Sequence, residues 1–197
     1  MIIIRPLLLF LGFIFQYIPF LQFFGVAILF FTYFALIRNR NTHIKIMKQV
    51  YVQEPLKIAI FDAPQPEAHD SNGIVIKVMA TGICATDVHT FLGETIHGKH
   101  YPFHIGHEIA GKVVAVGSEV SCVVVGDSVV VNPLIYCGTC GECASGHWNY
   151  CKNVKALGLT GPGGFSDYVY TIEQNISKFS RKSPQEMSFA EPLATVL

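Results

Sequence analysis

The chain has 197 residues and sets 14 Lys and Arg against 14 Asp and Glu, for a formal net charge of zero. That balance argues against the basic surface of a nucleic-acid partner, and none is expected. The mean hydropathy of +0.41 reflects one N-terminal stretch more than the chain as a whole.

Between Arg5 and Arg38 no residue carries a formal charge, and Leu, Phe and Ile dominate. The stretch exceeds the roughly 20 residues that cross a bilayer and reads as a transmembrane segment over about residues 7–37. Pro19, flanked by Gln16 and Gln22, either kinks one long helix or separates two shorter ones. A cleaved signal peptide would show an apolar core of about 7–15 residues and an A-x-A-like site, which this stretch lacks. Arg38, Arg40, Lys45 and Lys48 follow, against Arg5 alone before, so the positive-inside rule predicts that the rest of the chain lies in the cytosol. Residues 1–46 therefore read as a hydrophobic segment with a basic linker. Residues 47–197, about 150 in all, are enough for one core.

From Met47 onward the pattern becomes one of short β-branched runs. Strands are predicted at Lys57–Phe61, Gly73–Ala80, Lys112–Val116, Ser128–Val131 and Phe165–Tyr170, each bounded by Gly, Pro, Asn or Asp. Gly117-Ser118 and Gly126-Asp127 mark turns. Strands of this length and spacing predict a mainly β domain, a barrel or a sandwich. Cys122, in a valine-rich run, reads as a small buried apolar residue.

Two sets of metal-type residues lie on this β framework. The first is Gly82-Ile83-Cys84-Ala85-Thr86-Asp87-Val88-His89 with Gly106-His107-Glu108. Cys84 and His107 are suitable zinc ligands and Glu108 is a harder one beside them, and three protein ligands plus a water describe a catalytic zinc. Taken alone, these residues fit equally well a buried thiol and a hydrogen-bonded core histidine. His97, His100 and His104 crowd toward His107, but Gly98, Tyr101, Pro102 and Gly106 keep the stretch irregular, and these histidines read as loop or surface residues.

The second set is Cys137-x-x-Cys140-x-x-Cys143-x7-Cys151, with Gly138, Gly141 and Gly146 letting the backbone wrap tightly. Four thiolates around one Zn²⁺ leave no open position, so this lobe is predicted to be structural. A disulfide lobe or four unrelated cysteines are the alternatives, and His147 is the one residue that would replace a thiolate. Lys152 and Lys155 offset part of the charge of such a centre.

Further on, Gly158-Leu159-Thr160-Gly161-Pro162-Gly163-Gly164 is glycine-rich, but Pro162 and the lack of a following helical pattern make it a loop and no phosphate cradle. No Gly-x-Gly-x-x-Gly follows a strand and opens a helix, so no Rossmann fold is legible. At the end stands Glu191-Pro192-Leu193-Ala194. Ser188-Phe189-Ala190-Glu191 fits a capping box. Pro192 at a first helical position instead predicts a helix beginning there, with Glu191 outside it and its carboxylate free.

In order, Gly-x-Cys-x-x-Asp-x-His, Gly-His-Glu, Gly-Asp-x-Val, the four-cysteine run and Gly-Gly-Phe-x-x-Tyr resemble the catalytic domain of zinc-dependent medium-chain dehydrogenases, from about Met47 to Leu197. The resemblance implies a GroES-like β-barrel, two zinc ions per chain, and hydride exchange between a small alcohol or polyol and NAD or NADP. It implies Cys84 and His107 as catalytic-zinc ligands with Glu108 or an exchangeable equivalent. It implies Cys137, Cys140, Cys143 and Cys151 as structural-zinc ligands, and Asp87 as the carboxylate that orients the bound histidine. Thr86 and His89 fall at proton-relay positions. Glu191 falls where the sorbitol, butanediol and threonine dehydrogenase branch carries a zinc-proximal glutamate. A homo-oligomer is implied at family level only.

Family members continue into a cofactor-binding domain, so the expectation is a fragment of such an enzyme. A nonenzymatic zinc-stapled module, tethered to a membrane, is the alternative. Met47 stands where a soluble dehydrogenase would start, so residues 1–46 read either as a membrane anchor with the zinc domain on the cytoplasmic side or as misassigned upstream sequence before a soluble cytoplasmic protein.

Overall fold

The computed structural model describes residues 44–94, 101–180 and 182–196. The transmembrane segment expected over about residues 7–37 lies outside them, as do His97 and His100. Among the described residues no helix is long and apolar enough to cross a membrane.

Among the described residues ten strands carry the domain. They are β1 (Ile46–Glu54), β2 (Lys57–Pro64), β3 (Gly73–Gly82), β4 (Phe103–His104), β5 (Glu108–Val116), β6 (Ser128–Val131), β7 (Leu134–Ile135), β8 (Lys155–Ala156), β9 (Tyr168–Ile172) and β10 (Ile176–Lys178). Four short helices accompany them: α1 (Ala85–Leu92), α2 (Gly141–Ala144), α3 (Pro184–Met187) and α4 (Ala190–Ala194). The main sheet has the order β10-β6-β5-β3-β9, a second has β2-β1-β4, and β7 pairs with β8.

Alternation sets the core. Ile74, Ile76, Ile109, Val113, Val129 and Val131 from the three central strands of the main sheet are buried together with Val169 from its edge strand β9. Val52, Phe103 and Ile105 form a smaller cluster under the second sheet, with Phe165 packed against it. Residues 165–167 join the two sheets. Phe165 C=O accepts from Val50 N–H at 2.8 Å, Asp167 N–H donates to Lys48 C=O at 3.0 Å, and Val78 N–H donates to Asp167 C=O at 2.9 Å. This crossing closes the barrel. It also explains why the strand predicted from Phe165 to Tyr170 begins only at Tyr168, because the first residues are shared between sheets.

The mainly β expectation holds, and four of the five predicted strands coincide with or lie within β2, β3, β5 and β6. Strand β1 carries no clean hydrophobic alternation because Gln49 occupies a buried position, its side chain accepting from the Tyr51 hydroxyl at 2.5 Å. Cys122 corrects its reading: it is exposed. Its N–H donates to the Glu173 carboxylate at 2.8 Å, as does that of Ser121 at 2.6 Å, and Val123 takes the core position instead.

The C-terminal helix also departs from expectation. Helix α4 begins at Ala190, so Glu191 lies in its first turn and not outside it. The Ser188 hydroxyl donates back to Gln185 C=O, while a capping box forms one turn earlier, between Ser183 and Glu186. Two short helical turns in succession leave Pro192 inside the second, where its missing N–H has no helical carbonyl to reach.

Ile76 is fully buried and Ile60 is 67% exposed. Ile76→Ala should therefore destabilise the domain by about 3 kcal/mol, and Ile60→Ala by no more than about 0.5 kcal/mol, read as shifts in the urea unfolding midpoint.

Candidate metal centres

The first centre is assembled by strand register. Strands β3 and β5 pair antiparallel with Gly82 opposite Glu108. The chain leaving β3 at Gly82 thus runs beside the chain entering β5 at Glu108, and Cys84 meets His107 although 23 positions separate them in sequence. Ligand atoms of Cys84, His107 and Glu108 all lie within 4.8 Å of one another. A Cβ on Gly82 would run into the Glu108 carboxylate, so the glycine is what lets that side chain lie in the sheet.

Asp87 ties the two segments together. It is 4% exposed, and its carboxylate accepts from Cys84 N–H and from Gly106 N–H, each at 3.0 Å. Cys84 is the N-cap of α1 and Asp87 its third residue, so one carboxylate caps the helix and holds the His107 segment against it. His107 Nδ1 lies 3.9 Å from Asp87 Oδ1, beyond hydrogen-bond reach. The carboxylate thus acts here through backbone groups. Gly106 has φ +86°, and a Cβ there would meet Phe165 N at 2.8 Å.

The glycine-rich loop has a use that its sequence did not disclose. Gly158 and Gly163 pack directly on the backbone of Gly106, leaving no room for a side chain, and Gly164 N–H donates to Gly106 C=O at 2.7 Å. The loop therefore backs the turn that presents His107. Only the tertiary contact reveals this.

The donors fit a cation. His107 Nδ1 is buried without a hydrogen-bond partner, a state that native proteins rarely tolerate. Burial, with the charges of Glu191 and Asp87, pushes the Glu108 carboxyl above its ordinary range, while His107 pulls it partly back. A buried carboxylate in that position is relieved by a positive ion. Glu191 stands outside the three-residue group but near enough to act on Glu108.

Thr86 and His89 lie on the exposed side of α1. Thr86 Oγ1 is 3.7 Å from Cys84 Sγ, and His89 follows one turn on. His104 is half-buried in β4, its ring centroid 4.5 Å from that of Tyr51, and does not join the cluster.

The second centre gathers Cys137, Cys140, Cys143 and Cys151, all four as free thiols. Sγ of Cys137 lies 4.0 Å from that of Cys143 and 3.5 Å from that of Cys151. A disulfide would require about 2.0 Å. A tetrahedron with Zn–S bonds of about 2.3 Å has edges of about 3.8 Å, so the donors fit zinc. Gly138 and Gly146 both adopt positive φ, at +70° and +79°, which lets the lobe turn back on itself. His147 is exposed, with Nδ1 3.7 Å from Glu142, and is no member of the group.

Among the described residues the β domain thus carries one all-thiol cluster and one Cys-His-Glu cluster, each able to hold a metal ion. The family model for the alcohol dehydrogenase GroES-like domain matches residues 70–181. The chain belongs to the zinc-type medium-chain alcohol dehydrogenase family. It is 39% identical over 127 residues to L-threonine 3-dehydrogenase of Symbiobacterium thermophilum, covering 63% of this chain and 36% of that one. It is 38% identical over 154 residues to D-arabitol-phosphate dehydrogenase of Enterococcus avium, covering 76% and 43%. The crystal structure of 2R,3R-butanediol dehydrogenase from Bacillus subtilis superposes with a TM-score of 0.63 at 32% identity, covering 74% of this chain and 44% of that one. The chain thus spans less than half the length of the relatives it matches.

Two outcomes follow from this geometry. Asp87→Ala removes the acceptor of one buried and one part-buried backbone N–H group and should lower stability by about 3 kcal/mol, with metal lost from the Cys84 centre in elemental analysis while the four-cysteine centre keeps its ion. Backbone N–H groups of Thr139 and Cys140 hold the Cys137 thiol down at about 5, while burial pushes Cys143 up to about 12. Zinc must displace the remaining thiol protons, so its affinity should fall as pH drops, and calorimetry at neutral pH in buffers of different ionisation enthalpy should show net proton release.

Proposed function

We propose that this chain is the zinc-bearing catalytic domain of an oxidoreductase that oxidises the CH–OH group of a small alcohol or polyol, with NAD or NADP as hydride acceptor. The observation that carries the reading is the pair of unlike centres, one sealed by four sulfurs and one built from Cys84, His107 and Glu108 with an unpartnered imidazole nitrogen. Cys137, Cys140, Cys143 and Cys151 hold the structural zinc. Cys84, His107 and Glu108 hold the catalytic zinc, with Glu191 as the adjacent carboxylate. When bound there, zinc supplies the Lewis acidity that brings the pKa of a ligated hydroxyl toward neutrality.

The chain's own residues do the rest. Asp87 fixes the backbone of both ligand segments, so the Cys84 and His107 donors stay in register without the long reach of a flexible loop. Thr86 Oγ1, beside Cys84 Sγ, accepts the substrate hydroxyl proton as it gives its own toward His89, which takes that proton and releases one to water from the exposed end of α1. Relatives named for threonine and arabitol phosphate, and a solved relative named for butanediol, support a small hydroxyl-bearing substrate. A further relative, from Escherichia coli CFT073, crystallised with NADH, supports the nicotinamide cofactor. The basic residues after the apolar stretch support attachment at the cytoplasmic face of a membrane.

Elemental analysis of the purified chain should give two zinc ions, and Cys84→Ala or His107→Ala should leave one. Two ions persisting in either variant would refute the assignment. Supplied with NAD or NADP, the longer enzyme built on this domain should reduce it in the presence of polyols, and each of these variants should lower that rate at least about 100-fold, as expected when a metal ligand is lost.

A further inference from the structure

We propose that Glu94 is a positioning residue for His89, fixing which ring nitrogen is free to carry the proton; the inference rests on the functional reading above and deepens it. Helix α1 ends at Gly93, whose φ of +84° is the left-handed conformation that terminates helices. The turn is tight: Glu94 N–H donates to His89 C=O at 2.9 Å, which brings the side chain of Glu94 back over the last turn. There its Oε2 meets His89 Nδ1 at 2.6 Å.

A carboxylate is an acceptor only, so the ring nitrogen that touches it at this distance must carry the hydrogen. Neutral His89 is then the Nδ1–H tautomer, and Nε2 is left with its lone pair. Nε2 takes one proton from the Thr86 side and releases one to water, while the Nδ1–H bond to Glu94 is never broken. No electrons move and the imidazole returns to its starting state. The two side chains are 57% and 58% exposed, so the pair stands in solvent one helical turn beyond Thr86. A histidine this exposed would otherwise spin freely about its side-chain torsions and sample both tautomers. The contact gives it one orientation and one basic nitrogen.

Helix position alone does not account for the pairing, since residues five apart do not face each other on a helix. Only the left-handed glycine between them does, and a Cβ placed on Gly93 would lie 3.0 Å from Pro55 Cγ.

The test is nitrogen NMR of isotope-labelled histidines in the full, zinc-loaded chain, with His89 identified by the resonances missing from His89→Gln. The expected result is the Nδ1–H tautomer in the parent protein and loss of that tautomer in Glu94→Ala, in favour of the Nε2–H form usual for exposed histidines. Glu119→Ala, which removes a carboxylate elsewhere, should leave the His89 signals unmoved. An Nε2–H tautomer in the parent, or the same tautomer in Glu94→Ala, overturns the proposal. Zinc content is measured on the same samples. A tautomer switch in a parent that lacks the second zinc would uphold the contact and sink the catalytic reading, so the two failures are distinguishable.

Discussion

The carboxylate of Asp87 is the constraint on which the first metal centre depends. Its two oxygens accept from Cys84 N–H and Gly106 N–H, so a single buried side chain caps a helix and clamps a β-strand entry to it. A buried charge is costly unless its hydrogen bonds are made, and here they are made to the backbone of the two segments that bear the ligands. The charge therefore enforces the geometry: moving either segment away would leave a desolvated carboxylate unpaired. The glycines at 82, 106, 158 and 163 serve the same end by letting backbones and the Glu108 side chain approach where a Cβ would collide.

The two centres stand on different supports. The Cys84 centre sits at the edge of a core of β-branched residues, where Ile109, the neighbour of Glu108, is 1% exposed. The cysteine lobe has no comparable core. Trp148, Tyr150 and Val154 are 56%, 70% and 40% exposed, and the lobe's order rests on short backbone turns and on the sulfurs that face one another. A segment that buries so little cannot offset the entropy of ordering its backbone by burial alone. Zinc linked to the four thiols is the natural source of that missing stabilisation, which is why the lobe reads as a staple and the other site as a place for chemistry.

Much of this was legible in the residues. The β character followed from β-branched runs, and the cysteine cluster from its spacing, because four sulfurs within one short stretch can reach a common point by local turns alone. Cys122 was misread because a valine-rich run suggests burial, whereas its backbone N–H is drawn outward to Glu173. The start of α4 was misplaced because the preference of proline for a first helical position is a local rule, and successive turns from Ser183 onward override it. Glu94 left no signal at all, since its pairing with His89 needs a left-handed turn between them.

The donors, their chemistry and the local cysteine lobe follow from the order of residues alone, because these depend on residue type and short-range spacing. That Cys84, His107 and Glu108 share one place, that Asp87 clamps them through the backbone, and that the glycine-rich loop lies behind Gly106 emerge first in the folded chain. Those relations arise from the antiparallel register of β3 and β5 and from close backbone contact between distant segments. Register and contact of that kind are set by the packing of the whole barrel and by no short run of residues within it.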